Sequence, residues 1–147
     1  MCSHVHREPA TDADKEFFRR LNELSYRDVV TQQFGSWDEA LQSRNFDLKW
    51  QDQAFEKVFD GDTLVGGIWV REFPDHFQIR EIQILPEHRG RGAGTVILKQ
   101  EIQRASKRRK PLRLRVLLLN RAKSLYDRLG FEEIGRDETH YYMEYPT

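Results

Sequence analysis

Cysteine is almost missing from this chain. Cys2 is the only one in 147 residues, which excludes an internal disulfide framework and fits a reducing, intracellular setting. No apolar run approaches membrane-spanning length, and the N-terminus has no apolar segment of signal-peptide type. The expectation is a cytoplasmic protein with no membrane partner. Charge of one sign is also lacking: 24 Lys and Arg balance 24 Asp and Glu, which argues against a protein built around nucleic acid. His76, His88 and His140 are too scattered to suggest a metal site, and none is expected. With no repeat, low-complexity tract or linker, residues 1–147 read as a single domain with one sizeable core.

What is present alternates between strand and helix patterns. Residues 2–7 suit a first strand ending at Pro9, and Thr11 with Asp14 reads as a helix start. Phe17, Phe18, Leu21 and Leu24 then form a helical stripe to about Ser25, and residues 26–35 fit either more helix or a loop. Ser36 and Glu39 have capping-box spacing for a second helix, whereas the segment holding Phe46, Leu48 and Trp50 has no clear pattern. Residues 54–59, 63–71 and 77–85 read as an antiparallel meander. An Asp-Gly turn joins the first two runs, and Gly66-Gly67 marks a bulge or close backbone approach. A helix lined by Ile97, Leu98, Ile102 and Ala105 follows and ends in Lys107–Lys110, a group suited to a helix C-terminus. Residues 112–118 form an apolar strand, and strand, crossover helix and strand in this order imply parallel pairing. A short helix from 121 to Leu129, ended by Gly130, and two strands over 131–136 and 139–145 complete the chain.

The turn between residues 86 and 94 is the chemical centre of this pattern. Arg89, Gly90, Arg91, Gly92 and Gly94 lie between a strand and a helix, where unpaired N–H groups and the helix dipole make an anion site. The ligand described is a phosphate or diphosphate. A Walker loop would need Gly-Lys followed by Ser or Thr, and Gly94 precedes Thr95 without a lysine. A dinucleotide fingerprint would need Gly-x-Gly-x-x-Gly in a parallel unit, and the spacing here is Gly-x-Gly-x-Gly after antiparallel strands. Arg89-x-x-Gly92-x-Gly94 instead resembles the acyl-CoA pyrophosphate loop of the GCN5-related N-acetyltransferase (GNAT) superfamily. Asn120, Ala122, Leu125-Tyr126 and Leu129-Gly130-Phe131 resemble its second motif. The similarity spans residues 5–145, and the regions around Trp37 and His140–Met143 resemble small bacterial-type members.

The resemblance implies an α/β (α+β) acyl-CoA N-acyltransferase fold. That fold is a strongly bent mixed sheet of six to seven strands with about four helices, its central parallel strands splayed around the pantetheine arm. The implied activity is acetyl-CoA-dependent N-acetyl transfer to a primary amine, most simply on a small molecule, by direct transfer in a ternary complex. A catalytically reduced acyl-CoA-binding or interaction domain is the alternative on the same fold, and the superfamily also allows a homodimer. Acetyl-CoA would be held by Arg89, Gly90, Arg91, Gly92, Ala93, Gly94, Thr95, Asn120 and Tyr126, with the backbone at Ile84 and Leu85 meeting the pantetheine and the oxyanion donor near Leu85. Tyr126 would protonate the leaving thiolate, being a phenol still protonated at neutral pH; a buried core aromatic is the plainer reading. Glu81 is the candidate base, direct or through water, against a structural ion pair. By strand alternation Glu81, Gln83 and Leu85 face one way and Arg80, Ile82 and Ile84 the other, unless a bulge intervenes. Trp37, Phe77, Glu81 and Tyr141 are the acceptor-binding candidates.

Overall fold

A computed structural model describes residues 4–147, so Cys2 lies outside the described part. The elements are β1 (Val5–Pro9), α1 (Lys15–Phe34), α2 (Glu39–Trp50), β2 (Phe55–Asp60), β3 (Thr63–Glu72), β4 (Phe77–Ile84), α3 (Ala93–Lys107), β5 (Leu112–Leu117), α4 (Ala122–Leu129), β6 (Glu132–Arg136) and β7 (His140–Tyr145). The seven strands form one sheet in the order β1-β2-β3-β4-β5-β7-β6. All neighbours are antiparallel except β4 and β5, whose crossover through α3 makes them parallel.

Local chemistry accounts for the element ends, and in one place differs from the expectation. The first helix continues through residues 26–34, one of the two forms open to that segment, and ends at Gly35, whose φ of 91° is the left-handed cap that glycine adopts without a Cβ penalty. Its expected stripe residue Leu24 is among the exposed hydrophobics, while Phe18 and Leu21 are buried. The second helix is capped by Asp38, whose side chain accepts from the Leu41 N–H at 3.0 Å, and not by Ser36. A carboxylate at a helix N-terminus gains from the dipole as well as the hydrogen bond. Phe46 and Trp50, unplaced by pattern, belong to this helix.

Each sheet face has its own core. Phe18, Leu21, Phe46, Phe55 and Trp69 pack α1 and α2 onto one face. On the other, α3 and α4 cover Phe77, Ile79, Leu98, Leu112, Leu114, Phe131 and Met143, continuous in space with Val58, Val65, Ile68 and Ile97.

Three register shifts interrupt the sheet, one of them in β6–β7 between Glu133 and Gly135. Opposite the Val58/Phe59 step the β2–β3 register shifts, next to Gly66. A Cβ on Gly66 would run into the Gln83 carbonyl, and one on Gly67 into the Phe18 ring, so both glycines serve close approach. The third shift lies in β3–β4, where Trp69 pairs with Glu81 and Val70 with Ile79, leaving Arg80 as the extra residue. This bulge reverses the parity of β4. Phe77 and Ile79 before it, and Ile82 and Ile84 after it, all reach the α3 face, and Glu81 and Gln83 turn to α1.

Candidate active site

The parallel pair β4–β5 is joined only from Phe77↔Leu112 to Ile79↔Leu114. Both strands continue, β4 along β3 to Ile84 and β5 along β7 to Leu117, so beyond Ile79 the sheet opens between two paired halves. A cleft of about 840 Å³ occupies this opening. Its lining comes from both faces: Asn22, Ser25 and Tyr26 of α1, Lys49 of α2, residues 78–84 of β4, Leu114, Arg115 and Leu117 of β5, Asn120, Arg121, Ala122, Ser124, Leu125, Tyr126 and Arg128 around α4, and His140 of β7.

Strand edges supply donors inside the opening. The donor expected near Leu85 is not the Leu85 N–H itself, which gives its hydrogen bond to the Val65 carbonyl at 2.8 Å. Because N–H and C=O of one residue point the same way and alternate along a strand, Ile84 and Ile82 direct theirs into the opening. The Ile84 carbonyl on that side accepts from Arg89 Nε at 3.0 Å.

The glycine turn follows directly. Gly90 and Gly92 have φ of 76° and 88°, a region that favours glycine. Gly92 caps α3, whose first intrahelical bond runs from the Val96 N–H to the Gly92 carbonyl at 3.0 Å. The N–H groups of Ala93, Gly94 and Thr95 precede that bond, as at any helix start. Gly94 lies beside Ile84, so this start adjoins the end of β4. Arg89 lines the cleft and also reaches the Leu24 carbonyl at 3.5 Å, and Arg91 is exposed. The unpaired β4 edge, the helix start and the arginine match what a diphosphate on an amide-bearing arm requires.

Glu81 and Tyr126 meet across the opening. Glu81 is 8% exposed, and both its oxygens are engaged: Oε1 accepts from Lys49 Nζ at 2.8 Å, and Oε2 from the Tyr26 hydroxyl and, at 3.3 Å, from Gln83 Nε2. Gln83 also donates to Asn22 Oδ1 at 3.2 Å. Tyr126 belongs to the α3/α4 core and lines the cleft as well, its ring edge-on to Phe131. Burial first, then the Glu81 charge, pushes the Tyr126 phenol above its ordinary value. The same causes, burial and then Glu81, push the Tyr26 phenol well up. Both hydroxyls are therefore proton carriers at neutral pH. Burial and then Arg115 depress His140, which is neutral there.

Asn120 lines the cleft and accepts from the Ala122 N–H at 2.9 Å, so it also caps α4. Of the acceptor candidates, only Glu81 is in the lining. Phe77 is corrected: it is fully buried in the α3-side core, with Arg104 and Lys110 over its ring. Trp37, in the turn before α2, and Tyr141, packed on the α3/α4 core under Lys123 and Arg136, are outside the lining too. Leu85 packs toward the α1/α2 core. Lys110 and Arg108 are tied to Glu72 at 2.7 and 3.0 Å, the structural role open to that basic run.

Tyr26, Lys49, Asn22 and Gln83 were not singled out from the sequence as site residues. One signal was there: Asn22, Ser25, Tyr26 and Val30 fall on a single helical face. It shows only when α1 is drawn through residue 30.

A splayed parallel pair with a glycine turn at the following helix defines an acyl-transferase type of fold. The comparisons make this specific. Residues 53–133 match the acetyltransferase (GNAT) domain family, and the chain belongs to it. At superfamily level it is an acetyl-CoA-dependent acetyltransferase. Among solved structures, PaiA N-acetyltransferase from Thermoplasma acidophilum in complex with coenzyme A has a TM-score of 0.77 at 18% identity, covering 97% of this chain and 99% of that one. An acetyltransferase from Thermus thermophilus has 0.75 at 19%, covering 99% of each. The ribosomal-protein-S18-alanine N-acetyltransferase from Escherichia coli has 0.69 at 18%, covering 97% and 93%. At such identities the likeness is one of fold. No functionally curated protein matches the sequence significantly.

Proposed function

We propose that residues 1–147 form one GNAT domain that moves the acetyl group of acetyl-CoA to a primary amine on a small molecule, by direct transfer in a ternary complex. The observation that carries this reading is the β4–β5 pairing that stops at Ile79↔Leu114 while both strands run on, leaving an amide edge open between Glu81 and Tyr126. Acetyl-CoA, when bound, supplies the activated thioester. The N–H groups of Ile82 and Ile84 meet the amide arm and donate to the acyl oxygen, a preorganised stabilisation. Arg89 and the amides from Gly90 to Thr95 hold the diphosphate.

In the balanced reaction the amine nitrogen forms the amide bond as the C–S bond breaks. An acceptor that arrives as an ammonium gives up two protons, of which one ends on the coenzyme sulfur and one in solvent. Tyr126 delivers the first from its protonated phenol and is reprotonated by water. Glu81 receives the acceptor's proton. With both carboxylate oxygens already hydrogen-bonded, the route runs through water or the Tyr26 hydroxyl, which passes its own proton to Oε2 as it accepts another.

Calorimetric titration with acetyl-CoA, paired with thiol release over a panel of amines, tests the reading. Tyr126→Phe is expected to lower kcat by about 10²-fold while leaving acetyl-CoA affinity unchanged. Equal rates, with chemistry limiting, would remove Tyr126 from the acid's role. Binding without turnover favours the acyl-CoA-binding alternative, and no binding by the folded protein sinks the pyrophosphate reading.

A further inference from the structure

The acceptor side of the cleft is cationic in a molecule whose formal net charge is zero. On the α1/α2 face, the lining carries Lys49, Arg80 and Arg115 against one carboxylate, Glu81. Lys49 already neutralises that carboxylate at 2.8 Å. Asp137 lies near this face, but it is engaged by the Tyr142 hydroxyl, by Thr139 and by the His140 N–H.

The two arginines differ from many others in the chain. Arg7, Arg19, Arg71 and Arg113 each have a carboxylate oxygen at 2.6 to 2.8 Å. Among the described residues, Arg80 and Arg115 have none within ion-pair distance. Arg80, the bulge residue, lies over the Trp69 ring at 5.5 Å. Arg115 lies over the Tyr142 ring at 5.3 Å, with Nη2 3.3 Å from His140 Nδ1. Both are exposed. An aromatic floor fixes the plane of a guanidinium and leaves its N–H fork open, an arrangement suited to a carboxylate or phosphate.

Resting on the acetyltransfer reading above, we propose that the acceptor is a primary amine that also carries an anionic group, a carboxylate or a phosphate, held by Arg80 and Arg115 with the nitrogen toward Tyr26 and Glu81. This charge pattern selects in two ways. It repels polycations, whose extra ammonium groups would meet Lys49 and both arginines. It also lowers the pKa of the incoming ammonium, so that more of the acceptor is the nucleophilic free amine.

The test measures acetylation of glutamate, glucosamine 6-phosphate, n-butylamine and spermidine by the full chain. At least one anionic amine is expected to exceed butylamine and spermidine in kcat/KM by about tenfold, and its identity separates carboxylate from phosphate. Arg80→Gln and Arg115→Gln should each raise its KM about tenfold with little change in kcat. Added salt should erode the preference, and Arg115→Glu should shift it toward spermidine. Equal or better turnover of spermidine or butylamine, or an unmoved KM in both glutamine variants, overturns the proposal. Calorimetry of the same amines on coenzyme-A-saturated protein separates the two readings. Arginine-dependent binding of an anionic amine without turnover upholds the subsite and removes the acetyltransfer. Absence of binding by both anionic amines overturns the subsite. Thermal unfolding of each exposed-site variant verifies that it is folded.

Discussion

Lys49 reaches Glu81 from thirty-two positions away in the chain, and the pair decides how the carboxylate works. The carboxylate is 8% exposed, and in place of water it has the Lys49 ammonium at 2.8 Å and the Tyr26 hydroxyl as partners. His140 reports on the same surroundings, since burial and Arg115 depress its pKa while Asp137 and Glu81 act the other way and Lys49 reinforces Arg115. The native state then binds fewer protons than the unfolded state between the depressed value and the ordinary one of about 6.5. The stability this gives is full above about pH 6.5 and is lost as pH falls through that window. Removing Arg115 removes one cause of the depression, so Arg115→Gln should raise the His140 pKa toward its ordinary value, read by NMR titration of the imidazole. An unchanged titration would remove Arg115 from the causes and leave burial with Lys49. In the sequence, Glu81 and Tyr126 were legible because a motif and a strand phase located them. Lys49 and Tyr26 were not, since Lys49 falls in a segment without a clear pattern and Tyr26 in one that fits helix or loop.

At the scale of elements, α1 and β4 make the site by departing from simple periodicity. The apolar stripe of α1 fades after Leu21 because the next turns face a cleft, where Asn22, Ser25 and Tyr26 replace the aliphatic residues a core would need. The pattern therefore left residues 26–35 open between helix and loop, and the helix is what they form. In β4 the Arg80 bulge lets one strand place apolar residues on the α3 core along its length and still aim Glu81 and Gln83 at α1. The expectation allowed for such a bulge but could not locate it, because the extra residue is defined by its pairing with β3. Close packing of α1 on β3 is equally specific. Gly67→Ala would drive a methyl into the Phe18 ring, which is 1% exposed and wedged against Phe17, Trp50 and Phe55. The expected cost is about 1–3 kcal/mol, measured by urea unfolding. Gly35→Ala, with open space around its Cβ position, should show only the strain of its positive φ.

Across the whole molecule, one ion-pair network ties the first strand to the crossover helix. Arg7 donates to Glu101 Oε2 at 2.9 Å and to Glu56 Oε1 at 2.6 Å, and Arg104 approaches Glu101 Oε1 at 3.3 Å. Glu101 is 1% exposed, so these arginines stand where water would otherwise meet its oxygens. Arg7→Met leaves the buried carboxylate with Arg104 as its remaining ion-pair partner and Oε2 without one, and should destabilise by about 3 kcal/mol in urea unfolding. Arg7→Met with Glu101→Leu should recover most of that loss, because an apolar pair of similar volume has no unpaired charge to bury. A double variant no more stable than the single one would show that the loss lies in packing. Since α3 carries the glycine turn at its other end, the network also fixes where the helix start lies against β4.

A family resemblance joined the glycine turn to the Asn120–Tyr126 motif, and the sequence by itself determined the strand and helix order, the parallel crossover and the turn. Those features depend on residues close along the chain: periodic burial, caps, φ > 0 at glycine, and a strand–helix–strand connection that has one favoured hand. Only the tertiary structure decided which N–H groups face the open seam, that Phe77 is core, that Arg80 is the bulge, and that Lys49 and Tyr26 close on Glu81. Each of these is a relation between segments distant in sequence, set by sheet register and by packing across two faces.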